Sequence, residues 1–212
     1  MNLKYCIFLI FLFTSVISIG QNIENTVDKP LNTKNISKDL SSVIFNDYNY
    51  VEYGLTIQSP YKLISKTMKL PNNIRKMDSY YYKSLKFQIL INCIKHNSIV
   101  SELNLNGAAY SSIQKLLSMD GITNFHFTED FIENNSIPGV IQNITFNTNE
   151  VELEFINTVF VNNLTSMQIL VGYQKNDLAN KAIALKIIDS IKLKKDIDSK
   201  FEDNYTKGDS CK

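Results

Sequence analysis

The chain of 212 residues has no tryptophan, two histidines, three cysteines, four prolines and seven glycines. Each shortage excludes something. His96 and His126 stand apart, with no HxH or CxxC spacing to supply a second imidazole or thiolate, so a zinc site lacks its ligand set. The acidic group Glu129, Asp130 and Glu133 lacks the DxDxDG order of a calcium loop. No GxSxG elbow exposes a nucleophile, and Ser111-Ser112 sit in a helical stretch with no obvious base. Gly107 alone cannot form a phosphate cradle. Charge of one sign is also missing: Lys+Arg 22 against Asp+Glu 21 leaves a net +1, and no basic block gathers on one segment. Nucleic acid is therefore not an expected partner. The expectation is a non-enzymatic chain with no catalytic, cofactor-binding or metal-binding residue.

Long hydrophobic runs are confined to the start. MNLKYCIFLIFLFTSVISIG places Lys4 before an apolar segment from Tyr5 to Phe13, then turns to small residues at Ser18 and Gly20. That is the pattern of a secretory signal peptide over residues 1–20, with cleavage before Gln21; retention as an uncleaved anchor is the lesser alternative. No membrane span is expected after cleavage, and the mature protein is expected to be exported, periplasmic or secreted. About 190 residues remain, enough for one domain burying roughly 70% of its unfolded surface. Residues 21–50 read as a polar tether with a short helix, Ser37–Phe45. Residues 51–194 read as a single domain and 195–212 as a charged flexible tail.

Export permits disulfides, but Cys93 alternates with Phe87, Ile89 and Ile91 on one strand face, expected to be core. Cys211 lies near the end of a polar tail, so two separate thiols are favoured over a bridge.

Along the domain, EYGLTIQSP alternates as a strand ended by Pro60, and KLISKTMKLP continues extended to Pro71. DSYYYKS and KFQILINCIKH form a hairpin about Ser84 and Leu85. Leu105, Ala109, Ile113, Leu116 and Leu117 then fall on one helical face between Asn104 and Met119, with Gly121 as the left-handed stop. Alternation resumes in ITNFHFTEDF, a turn is expected at NSIPGV, and QNITF, EVELEFINTVFV and SMQILVGY complete an antiparallel meander with one apolar and one largely wet face. Asp177 caps LANKAIALKII, a helix apolar on so much of its circumference that it should be covered broadly. Ile191 and Leu193 point inward from a short final strand.

YGLTIQSP (Tyr53–Pro60), INCIKH before NGAAYSSIQKLL, SIPGVIQNITF with its Pro-Gly turn, and IIDSIKL (Ile187–Leu193) together resemble the PsbP-like fold family. The resemblance covers residues 52–194. It implies an α+β fold in which an antiparallel meander packs with helices as an α-β-α sandwich. The family is functionally diverse and mostly non-enzymatic, and its motifs are packing and turn patterns, so no catalytic residue is carried over.

His96 and His126 are expected to be solvent-exposed. Glu152 and Glu154 share a strand face two residues apart, where solvated carboxylates are the ordinary outcome. The candidate binding surface is Tyr80, Tyr81 and Tyr82, because consecutive tyrosines split between faces and at least one must be exposed. The leading expectation is an exported, non-catalytic binding or scaffold domain that recognises a protein or envelope component. The alternative is a small-molecule or lipid carrier with a cavity between helix and sheet.

Overall fold

A computed structural model describes residues 42–66, 74–100, 102–148 and 151–195. Its strands are β1 (Asn46–Tyr50), β2 (Leu55–Ser59), β3 (Ile64–Lys66), β4 (Ile74–Lys83), β5 (Phe87–His96), β6 (Ile122–Asn134), β7 (Ile137–Thr148), β8 (Val151–Asn162), β9 (Thr165–Gln174) and β10 (Lys192–Leu193). Two helices interrupt them, α1 (Glu102–Leu117) and α2 (Leu178–Asp189). Seven strands form one sheet in the order β3-β4-β5-β9-β8-β7-β6, and β1-β2-β10 form a second. Every pairing is antiparallel. The fold is thus mostly antiparallel sheet with two helices.

Alternation sends Phe87, Ile89, Ile91 and Cys93 of β5, with Met167, Ile169, Val171 and Tyr173 of β9, to one face. There they meet Leu55 and Ile57 of β2, Ala184 and Ile187 of α2, and Ile191 and Leu193 at the chain's final turn. On the opposite face Ile113 and Leu116 of α1 pack on Ile144, Phe155 and Leu170, while Leu105 and Ala109 lie over Val140, Val159 and Val161. The centre of the meander is therefore buried on both sides, as the unbroken burial of Phe155–Val161 records, and the expected wet face is corrected. Two separate layers cover the two faces, which alternation within one strand cannot reveal.

Other expectations are revised. Residues 42–45 lead into β1 without helix, and the rest of the helix expected over 37–45 lies outside the described residues, as do residues 1–20 and the tail beyond 195. The turn expected over NSIPGV forms at its first two residues, Asn135 (φ 53) and Ser136 (φ 58), and not at the Pro138-Gly139 pair. Two residues with positive φ make the primed hairpin turn that matches strand twist, and Pro138 pairs with Glu133 inside the ladder. Leu117 is turned out at 49% exposure while Ser112 is fully buried, because Ser112 lies between Leu105, Ala109 and Leu116 on the 3.6-residue stripe and Leu117 has rotated past it. Gly121 does adopt a left-handed φ of 79. In α2 the cap forms, Asp177 accepting from the Asn180 N–H, but Leu178 and Leu185 remain exposed. Its buried stripe, Ala184 and Ile187, is narrow.

Candidate functional site

The three candidate tyrosines do not share a surface. Strand pleating sends Tyr80 and Tyr82 toward the small sheet and Tyr81 to the other side, where it is exposed. The Tyr80 ring lies 4.3 Å from that of Tyr50, tilted by 39°. Tyr82 stacks on Tyr61 at 4.1 Å, and Tyr61 also meets Phe87 at 5.1 Å. Tyr48 Oη donates to the Tyr61 carbonyl at 2.9 Å, and Tyr53 Oη donates to Asp78 Oδ2 at 2.9 Å. Burial pushes the Tyr50, Tyr61 and Tyr80 hydroxyls above their ordinary pKa; for Tyr53 burial and the Asp78 carboxylate act together. Phenols held neutral and stacked serve as packing between β1, β2 and β4.

The groups that could do chemistry are dispersed. His126 is exposed on β6. His96, expected in solvent, is instead half-buried, with Nε2 2.8 Å from Ser166 Oγ. A general base works best with a pKa near the operating pH, whereas burial pulls His96 down to about 4. The pair is better described as a hydrogen bond tying β5 to β9. Glu152 is bridged by Lys175, and Glu154 by Lys181 at 3.0 Å, so each carboxylate faces an ammonium rather than sharing a proton with the other. Cys93 is a free, buried thiol whose pKa burial raises. Among the described residues no group of three or more His, Cys, Asp or Glu is placed to hold a metal ion.

Sequence reasoning missed two features. The first is a row of side-chain amides crossing the large sheet beneath α1. Asn92 Nδ2 donates to Gln168 Oε1 at 3.1 Å, Gln168 Nε2 to Asn157 Oδ1 at 2.9 Å, Asn157 Nδ2 to Gln142 Oε1 at 2.8 Å, and Gln142 Nε2 to Glu129 Oε2 at 2.6 Å. Gln168 Nε2 also donates to Ser112 Oγ of α1 at 3.0 Å. The row joins β5, β9, β8, β7 and β6, and every donor points the same way, toward the single carboxylate at its end. Aligned bonds polarise one another in a low-dielectric interior.

The second feature is the strand that carries Glu129. β6 is one of the two edge strands of the large sheet and spans 13 residues. Most of it is exposed, including Phe127 at 45% and Phe131 at 73%. These two rings share the α1 side of the sheet with Glu129 and Glu133, since Phe127 pairs with Ile144 and Phe131 with Val140. Phe125 of the same strand and, inboard, Phe146 of β7 and Phe155 of β8 continue the aromatic row with successive centroids 6.3 and 5.3 Å apart. Exposed aromatics beside an open backbone edge are the features used in peptide recognition by strand addition.

No family model matches the chain, and no curated protein matches it. Among solved structures, the solution structure of cyanobacterial PsbP (CyanoP) from Synechocystis sp. PCC 6803 is similar with a TM-score of 0.53 and 8% identity, covering 82% of this chain and 98% of that one. That likeness establishes a PsbP-like fold and nothing finer. Protein PA94, of unknown function, from Pseudomonas aeruginosa reaches a TM-score of 0.39 at 10% identity, covering 69% of this chain and 94% of its own. The extracellular domain of PknH from Mycobacterium tuberculosis reaches 0.32 at 13% identity, covering 75% and 90%. These two scores are too low to bear on the fold.

Proposed function

We propose that the protein is an exported, non-catalytic binding domain of the PsbP-like α-β-α sandwich type, and that it recognises a protein component of the cell envelope. The observation that carries this reading is Phe131 at 73% exposure beside Phe127 on a long outer strand. Apolar rings held out into water cost hydration free energy unless a partner covers them, and such patches mark interaction sites. The dispersal of His96, His126, Glu152 and Glu154 into separate local interactions supports binding over catalysis. Export is supported by the signal-peptide pattern of residues 1–20. No helix among the described residues is long and apolar enough to cross a membrane.

Immobilised protein would be used to capture partners from an envelope extract of the source cell, beside a Phe127→Ser/Phe131→Ser variant and a Tyr81→Ala variant. Specific partners should be retained by the Tyr81 variant and lost from the phenylalanine variant. Recovery that is identical for all three removes β6 as the recognition surface.

A further inference from the structure

We propose that β6 receives a basic, extended segment of a partner protein, which adds to the large sheet as an eighth strand; this rests on the binding reading above and names the partner's chemistry. The two edges of the sheet are managed differently. β3 is three residues long and ends in Lys66, and shortness and lysine are two ordinary protections against unwanted strand pairing. β6 is 13 residues long, roughly 43 Å at strand rise. Its register is irregular only between Thr123 and His126, so His126–Asn134 is a regular ladder whose outer side has no strand partner among the described residues.

Charge selects the occupant. β6 carries Glu129, Asp130 and Glu133 with no lysine or arginine, and neighbouring β7 carries no charged residue. A second copy pairing β6 with β6 would crowd carboxylates of both strands into one short segment, and like charges set opposite are destabilising. An incoming lysine or arginine reverses that term. The pattern along the α1 side is ring, carboxylate, ring, carboxylate from Phe127 to Glu133. Directly opposite cross-strand residues approach to about 5 Å, so the matching segment alternates apolar and basic residues on that face. A cation there also meets the exposed rings. Glu129 is not free to swing, because Gln142 already holds one of its oxygens.

The probe is a short labelled peptide with lysine and valine alternating on one face and threonine on the other. The comparisons are the same peptide with glutamate for lysine and one with central prolines that block strand pairing. Anisotropy should show binding of the lysine peptide alone, weakening as ionic strength rises from about 0.1 M to about 1 M, where the screening length falls from about 10 Å to about 3 Å. Asp130→Lys/Glu133→Lys, changed at exposed positions, should weaken it about tenfold or more, and hydrogen exchange should show new protection within residues 126–134. Equal binding of the glutamate peptide, unaltered affinity in the double variant, or protection elsewhere overturns the proposal. So does a homodimer in sedimentation that Phe131→Ser dissociates. Envelope capture that depends on Phe127 and Phe131 while the lysine peptide fails to bind would refute the basic chemistry and leave the binding reading standing.

Discussion

Gln142 Nε2 donates to Glu129 Oε2 at 2.6 Å, and through that bond a buried row of amides ends on the exposed outer strand. The interior and the proposed recognition edge are thus physically continuous: what orders the amides also orders the carboxylate.

Asn157 is fully buried at the middle of the row. Asn157→Leu keeps the branched heavy-atom layout in a bulkier side chain but leaves Gln142 Oε1 without its donor and Gln168 Nε2 without one acceptor. Leaving buried polar groups unpaired should cost about 2–4 kcal/mol, read as a lower urea midpoint at unchanged slope. Asn143→Ala, at an exposed position on β7, should stay within about 0.5 kcal/mol of wild type.

The Phe155 ring occupies the space that a Cβ on Gly172 would take. Gly172→Ala should therefore destabilise by about 1–3 kcal/mol through overpacking. Phe155→Leu, itself costly, should recover part of that loss when combined with it, and a thermodynamic cycle should give a coupling of at least about 0.5 kcal/mol. Strict additivity would mean that the ring moves aside freely.

Burial lowers the His96 pKa from 6.5 to about 4. Between those values the unfolded chain takes up a proton that the folded chain refuses, so unfolding binds protons and stability falls as pH drops. The contribution is complete above pH 6.5, is lost on acidification toward pH 4, and changes no further below. The denaturant midpoint of the wild type should drop more between pH 7 and pH 5 than that of His96→Gln. A difference between the two proteins that is the same at both pH values would show that His96 is not held neutral.

Asp177 accepts from the Asn180 N–H at 3.0 Å and from its side chain at 2.9 Å. Asp177→Ala should cost about 1 kcal/mol and loosen the first turn of α2, seen as faster amide exchange there. Asp177→Asn, which can still cap, should retain most of the stability.

Much of the architecture was legible because it is local and periodic. Leu105, Ala109, Ile113 and Leu116 announce α1, and the alternating runs of β5, β8 and β9 announce a sheet. Cys93 follows from the same alternation. The amide row left a fainter signal: Gln142 interrupts Val140 and Ile144, and Asn157 interrupts Phe155 and Val159, so each reads as a lapse in its own strand. The two are opposite each other across one hairpin, but Gln168 and Asn92 join them only once β9 lies between β8 and β5. His96 was misread because nothing near it in the chain foretells Ser166.

By itself the sequence determined the two helices and most strands of the domain, one apolar side of the central strands, and that Tyr80, Tyr81 and Tyr82 divide between two faces, since pleat and helical pitch are properties of neighbouring residues. Strand order, the burial of both sheet faces, the pairing of polar groups far apart in the chain, and the exposure of Phe127 and Phe131 on an edge strand were decided by tertiary structure. Those depend on which strand lies next to which, a choice set by the packing of the whole chain.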